Sequence, residues 1–137
     1  MSQHADLTPR QAWDLLERDP DAVLVDVRTQ AEWSFVGLPD VTPLGKQVVP
    51  IEWTTFPDGA PNQRFLEQLM AALPSQDAPV LFLCRSGARS AAATATAAAA
   101  GYSGATNISE GFEGDLDEHG HRAANGWKQA GLPWRQG

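Results

Sequence analysis

The stretch Pro79–Ala100, which reads PVLFLCRSGARSAAATATAAAA, decides the fold. Its first five residues form an apolar run that is typical of a strand buried on both faces of a parallel sheet. A polar turn that contains Gly87 follows this run. Ser90 to Ala100 then predicts a helix of small residues, and Gly101 is a typical residue to end it. The stretch therefore predicts a strand, a tight turn and a helix in direct succession.

Other short apolar segments repeat the strand pattern along the chain. The segments that predict strands are residues 22–27, 48–53 and 105–108. Because they alternate with helical patterns, the sequence predicts an α/β fold with a mostly parallel sheet. Residues 37–46 contain two glycines and two prolines, so they predict a loop.

Two predicted helices carry the same start signal. Thr8 followed by Gln11, and Thr29 followed by Glu32, have the spacing of a capping box. In such a box the threonine side chain accepts from a backbone N–H of the first turn, and the Gln or Glu side chain accepts from the threonine N–H. We therefore expect helices to begin just after Thr8 and just after Thr29.

Composition excludes several classes of protein. The 137 residues carry 10 basic and 17 acidic side chains, a net charge of −7, which disfavours a nucleic-acid partner. The single cysteine, Cys84, excludes an internal disulfide and a multi-cysteine zinc site. The sequence shows neither a signal-like N-terminus nor an apolar run long enough to cross a bilayer, so we expect a cytoplasmic protein without a membrane partner.

Cys84 is the residue around which reactive chemistry concentrates. It follows a predicted buried strand and precedes a predicted helix, and ligands of open α/β sheets bind at that edge. The free N–H groups of a helix N-terminus favour an anion, and Arg85 and Arg89 add positive charge. These groups stabilise a thiolate, so we expect a reactive nucleophile. A buried, inert cysteine is the alternative that strand position alone would favour.

Three segments in order resemble the rhodanese family of sulfurtransferases. They are the cysteine loop Cys84–Ser90, the strand end Leu24–Arg28 with the Glu32-Trp33 pair, and the C-terminal Gly126–Pro133. The resemblance covers about residues 7–133, and it implies one rhodanese-like domain over residues 1–137. It also implies a central, mostly parallel sheet of about five strands with helices on both faces.

The resemblance also implies an activity and the residues that carry it. Cys84 would take a sulfane sulfur from thiosulfate or a persulfide donor and pass it to a thiol or protein acceptor, without cofactor or metal. The residues implied to bind the small anionic donor are Arg85, Ser86, Gly87, Ala88, Arg89 and Ser90. Arg89 has a second interpretation, in which it pins the loop. The residues implied to form a supporting charge network are Asp26, Arg28 and Glu32, and the buried acid Asp26 has Arg28 as its nearest partner in sequence.

Three alternatives stay open. A phosphatase or arsenate reductase would need Cys, five residues and then Arg, whereas Ser90 occupies that position. A non-catalytic persulfide carrier or regulatory module would also retain Cys84, but it would not turn over. The acids and histidines of residues 115–121 have donor atoms for a transition metal, although a solvated acidic loop is the interpretation we favour.

Overall fold

The computed structural model describes residues 6–55, 59–73, 75–85, 87–114 and 125–135. Helices and strands alternate over most of this length, as the sequence predicts. The helices are α1 Pro9–Arg18, α2 Gln30–Phe35, α3 Phe65–Ala72 and α4 Ala88–Ala99, with a 3-10 turn at Thr42–Leu44. The strands are β1 Val23–Asp26, β2 Leu38–Pro39, β3 Val49–Pro50, β4 Val80–Leu83, β5 Ala105–Asn107 and β6 Trp134–Arg135.

The central sheet is parallel and has the order β3-β1-β4-β5. Val25 pairs with both Val49 and Phe82, which places β1 between β3 and β4. This confirms the predicted α/β fold. The sheet has four strands, where the family resemblance implies about five, and Leu7 adds one parallel bridge beside β5 through Ile108.

The core lies on both faces of the sheet, because side chains of a strand point alternately to either face. On one face Phe82 and Cys84 pack with α3 and α4, whereas Leu81 and Leu83 pack on the other face with α1. Trp127 is fully buried in this second cluster. The alternation therefore sets Cys84 on the α4 side of the sheet.

Small side chains bring α4 close to that face. Its buried residues are Ser90, Ala93 and Ala97, which share one face of the helix because they are three, four and seven positions apart. Ala93 and Ala97 belong to the same core cluster as Cys84. The buried face ends in Ser90, so packing against the sheet carries the N-terminus of α4 to the carboxyl end of β4.

The loop predicted over residues 37–46 contains two elements that the sequence pattern missed, the 3-10 turn at Thr42–Leu44 and a strand. Leu38 and Pro39 form β2, which pairs antiparallel with Arg135 and Trp134 of β6. The two strands are far apart in the sequence, and each is only two residues long, so neither carries an alternating pattern. Within the described residues, no helix has the length and hydropathy to span a bilayer.

Candidate active site

Cys84 lies where the chain leaves β4 and turns into α4. Its side chain is buried, with 1% of its surface exposed. The sulfur accepts a hydrogen bond from the backbone N–H of Gly87, at an N–S distance of 3.0 Å. Gly87 is the residue that precedes α4, so this N–H is one of those that the helix itself leaves free. The sulfur therefore lies at the N-terminus of α4, where the sequence predicts it.

Ser90 supplies a second polar group at the sulfur. Its hydroxyl oxygen lies 3.3 Å from Cys84 Sγ and 3.2 Å from the carbonyl oxygen of Gly87. The serine side chain is fully buried, and it also contacts Asn107 Oδ1. Because Ser90 is in the first turn of α4, the helix that offers its N-terminus to the sulfur also brings this hydroxyl to it.

Two glycines let the cysteine loop lie directly against the backbone that follows β5. Gly87 has φ +113°, and a Cβ at this position would overlap the carbonyl oxygen of Ser109. At Gly111 a Cβ would overlap the backbone of Arg85 and the carbonyl oxygen of Cys84. The next residue, Phe112, donates its N–H to the Cys84 carbonyl at 2.8 Å. The position of Cys84 thus depends on the segment after β5.

Arg89 is engaged with Glu32 of α2. Its two terminal nitrogens donate to the two carboxylate oxygens at 2.7 and 2.9 Å. Burial raises the pKa of Glu32, but the hydrogen bonds from Arg89 and from the Thr29 backbone outweigh it, so that pKa lies below its ordinary value. The same ion pair raises the pKa of Arg89. Of the two interpretations of Arg89, this geometry favours the one in which it pins the loop.

Asp26 and Arg28 form a separate pair at the end of β1. Both side chains are fully buried, and Arg28 Nη2 lies 2.7 Å from Asp26 Oδ2. The same nitrogen donates to the Gly37 carbonyl at 2.6 Å, and the guanidinium lies 4.2 Å from the ring centroid of Phe112. The three residues that the family resemblance implies as one network therefore belong to two ion pairs, Asp26–Arg28 and Glu32–Arg89.

Arg85 remains exposed at the start of the loop. Its guanidinium has no ion-pair partner in the part of the chain that the structure describes. Ala88 is exposed and begins α4. Ser86 lies outside the described residues. The local positive charge is therefore carried by Arg85 and the helix N-terminus, since Arg89 is neutralised by Glu32.

Sequence reasoning missed Asn107 at this site. It is the last residue of β5, and it is buried with 4% of its surface exposed. The carboxyl ends of parallel strands meet at one edge of the sheet. The position of a polar residue at the end of a predicted strand is therefore a signal that could have identified Asn107. In the described ranges no group of three or more His, Cys, Asp or Glu side chains is placed to hold a metal ion. The segment 115–121, considered above as a metal loop, lies outside the described residues.

Comparison with known proteins identifies the family. A family model described as the STR4 middle domain matches residues 5–137. The chain belongs to this family. This chain is 54% identical to a protein of known crystal structure, Rv0390 from M. tuberculosis. That match covers 99% of this chain and 100% of the other, with a TM-score of 0.92.

Two further relatives of this chain have names that state a function. MoeZ of Mycobacterium tuberculosis, a probable adenylyltransferase/sulfurtransferase, is 31% identical over 77% of this chain and 23% of its own length. The polysulfide-sulfur transferase homodimer of Wolinella succinogenes is 25% identical, with a TM-score of 0.64. That match covers 97% of this chain and 79% of the Wolinella chain. The chain is thus related to sulfurtransferases.

Proposed function

We propose that this protein is a sulfurtransferase of the rhodanese type, which moves a sulfane sulfur from thiosulfate or a persulfide to a thiophilic acceptor through a persulfide on Cys84. One observation carries the proposal: the Cys84 sulfur accepts the Gly87 N–H at the open N-terminus of α4. Such a position stabilises a sulfur anion. The relationship to sulfurtransferases supports the same chemistry.

The first half-reaction loads the protein. The Cys84 thiolate attacks the outer sulfur of thiosulfate, and a new S–S bond forms on the protein. The S–S bond of thiosulfate breaks, and sulfite leaves with the electron pair. Charge is conserved, because one thiolate and one thiosulfate dianion become one persulfide anion and one sulfite dianion. The exchange needs no redox cofactor and no metal.

The second half-reaction returns the protein to its starting state. A thiophile such as cyanide, or a cellular thiolate, attacks the terminal sulfur of the persulfide. The Cys84 thiolate leaves, and the product is thiocyanate or a new persulfide. A cytoplasmic location would supply such acceptors, because thiols there are kept reduced.

The residues of the site have separate tasks in this proposal. The Gly87 N–H stabilises negative charge on sulfur without reorganising, as a donor in an oxyanion hole does. The Ser90 hydroxyl lies beside the sulfur at 3.3 Å. Arg85 is exposed and attracts the anionic donor. Ala88 is the first residue of α4, and its N–H group belongs to the proposed cradle. Ser86, which the family resemblance also assigns to donor binding, lies outside the described residues. Arg89 and Glu32 hold α4 in place relative to α2.

Intact-protein mass spectrometry tests the proposal. The protein is incubated with thiosulfate, and we expect its mass to rise by one sulfur atom and to return when cyanide is added. The control is Cys84→Ser, which has no thiol and should gain no mass. Absence of loading by both thiosulfate and a small-molecule persulfide would contradict the proposal. Loading without repeated turnover to cyanide or small thiols would instead favour the persulfide carrier.

A further inference from the structure

The Ser90 hydroxyl has more acceptors than it has protons. It carries one proton, and three acceptors surround it: Cys84 Sγ at 3.3 Å, the Gly87 carbonyl at 3.2 Å and Asn107 Oδ1, which is the nearest of the three. All of these groups are buried. The direction of the hydroxyl therefore decides whether Ser90 offers the sulfur a proton or a lone pair.

The side-chain amide of Asn107 is held in one orientation by what faces its nitrogen. Nδ2 donates to Asp6 Oδ2 at 3.1 Å and lies 3.4 Å from the Gly87 carbonyl oxygen. Both partners only accept, since one is a carboxylate and the other a carbonyl. Turning the amide over would set its oxygen against two acceptors. Asn107 Oδ1 must therefore point at Ser90 and take the hydroxyl proton.

Backbone pairing fixes Asp6 in this position. The adjacent residue Leu7 donates its N–H to the Asn107 carbonyl at 2.9 Å, and the Leu7 carbonyl accepts from the Ser109 N–H at 2.9 Å. These bonds hold the N-terminal segment beside the end of β5. The exposed carboxylate of Asp6 is thus connected to the buried sulfur through two side chains, Asn107 and Ser90.

We propose that Asn107, oriented by Asp6, is a positioning residue that turns the Ser90 proton away from Cys84. In this arrangement Ser90 presents a lone pair to the sulfur, which suits a thiol that donates S–H to it. A thiolate gains the Ser90 hydrogen bond only when the hydroxyl leaves Asn107. This role rests on the proposed function of Cys84, and it assigns to Asn107 control over the reactivity of the resting thiol.

Alkylation of Cys84 by iodoacetamide at neutral pH tests the role directly. Asn107→Leu has a similar shape but no acceptor, so Ser90 can donate to the thiolate, which is the stronger, charged acceptor. We expect the alkylation rate to rise about tenfold or more, in keeping with the gain of one hydrogen bond to a charged group. Ser90→Ala removes both the lone pair and the proton of the hydroxyl, so it supplies the background in which Asn107 has nothing to redirect.

The double variant separates positioning from a general change in structure. If Asn107 acts through Ser90, then Asn107→Leu should have no effect on alkylation when Ser90 is already alanine. An equal rise in both backgrounds would overturn the proposal, because the effect would then not pass through the Ser90 hydroxyl. Unchanged alkylation of a folded Asn107→Leu protein would overturn it as well.

Asp6→Ala covers the case in which a buried leucine at position 107 prevents folding. Asp6 is exposed, and its removal frees the Asn107 amide to turn. We expect a smaller rise in the alkylation rate, about twofold, that again disappears in the Ser90→Ala background. Asp14→Ala, which removes an exposed carboxylate from α1, is the matched control and should leave the rate unchanged. A twofold rise that persists without Ser90 would overturn the proposal.

The alkylation readout is independent of sulfur transfer. If Cys84 accepts no sulfur but the Asn107 variants change alkylation as expected, the proposed function fails and the positioning role stands. If sulfur transfer is found but alkylation is unchanged in folded Asn107→Leu and Asp6→Ala, the positioning role fails alone.

Discussion

The N-termini of α2 and α4 lie close together in the fold and are completed in opposite ways. At α2, Thr29 accepts from the Glu32 N–H and Glu32 accepts from the Thr29 N–H, so the helix closes its own first turn. At α4, Gly87 has no side chain, and its N–H is donated to the Cys84 sulfur instead. A helix that lacks a side-chain cap can lend its free N–H groups to another group.

The two N-termini are also connected. Glu32, which completes the capping box of α2, receives Arg89 of α4 in a two-point ion pair. We call the capped N-terminus of α2 the closed terminus and the uncapped N-terminus of α4 the open terminus. The ion pair holds the open terminus next to the closed one. The capping box of α2 stabilises the helix itself, whereas the uncapped N-terminus of α4 donates an N–H to the Cys84 sulfur, which in the proposed mechanism carries the negative charge.

The largest effect is expected from Cys84→Ser, which removes the group that the open terminus holds. Sulfur transfer from thiosulfate to cyanide should be abolished, because the hydroxyl cannot form a stable sulfur adduct. The free energy of unfolding should change by no more than about 1 kcal/mol, since serine also accepts from the Gly87 N–H. Thiocyanate formation and urea unfolding measure the two quantities, and residual turnover in this variant would contradict the mechanism.

Thr8→Ala is the complementary change at a closed terminus. Thr8 and Gln11 form the capping box of α1, and its loss should lower the free energy of unfolding by about 1 kcal/mol. Sulfur transfer by the folded protein should be unchanged. If this variant lost activity while it remained folded, the division between closed and open termini would be wrong.

Gly87→Ala should disturb the open terminus itself. The new Cβ overlaps the Ser109 carbonyl, and the φ of +113° is strained for alanine, so the loop must move. We expect sulfur transfer to fall about tenfold or more, and stability to fall by about 1–3 kcal/mol.

Gly45→Ala is the matched control for that change. Gly45 also has a positive φ, +74°, but no atom lies within 4 Å of a Cβ built there. Gly45→Ala should lower the free energy of unfolding by about 1 kcal/mol, because alanine is strained at a positive φ, without loss of sulfur transfer. Equal losses of sulfur transfer in the two glycine variants, measured by thiocyanate formation, would show that contact with Ser109 does not position the loop.

Arg85→Ala should weaken donor use with a smaller effect. Arg85 is exposed and unpaired among the described residues, so its loss removes an attraction for thiosulfate without breaking a structural contact. We expect the KM for thiosulfate to rise about fivefold, with stability changed by less than about 0.5 kcal/mol. Arg64→Ala, which removes an exposed arginine paired with Glu67, is the control and should leave KM unchanged. An unchanged KM in Arg85→Ala would exclude the binding role.

Glu32→Gln changes the contact between the two termini, and its effect is expected on stability alone. The folded pKa of Glu32 lies below its ordinary value, so the ionised pair with Arg89 adds stability that is present near neutral pH and is lost as pH falls through that folded pKa. Glu32→Gln keeps the capping box but removes the charge. It should cost about 1 kcal/mol near pH 7 and less near pH 3, measured by urea unfolding. A difference from the wild type that does not change with pH would contradict the ion-pair contribution.

Local patterns predicted much of the fold. Both capping boxes form where the Thr-x-x-Gln and Thr-x-x-Glu spacings indicate, and the four sheet strands lie within the predicted segments. These features depend on neighbours in the sequence, so they can be read from it. Strand β2 was missed because Leu38 and Pro39 pair only with the distant β6.

The contacts of the candidate active site also divide into those that local sequence predicts and those that depend on tertiary packing. The order of strand, cysteine, glycine turn and helix predicts a sulfur at a helix N-terminus, and Gly87, three positions after Cys84, supplies the N–H that the sulfur accepts. The pairing of Arg89 with Glu32 joins residues 57 positions apart, and the sequence left both interpretations of Arg89 open. Asn107 belongs to no motif that the sequence analysis identified, and only the tertiary structure shows its contact with Ser90.

Local patterns alone place the single cysteine of an acidic chain after a buried strand and before a helix, which specifies a sulfur at a helix N-terminus. Tertiary structure decided how that sulfur is surrounded. It neutralised Arg89 through Glu32, left Arg85 as the exposed cation, and brought Asn107 and Asp6 to Ser90. The physical reason is that hydrogen-bond direction and charge pairing depend on distances of about 3 Å between atoms. Packing of the sheet and its helices sets such distances, and local sequence does not.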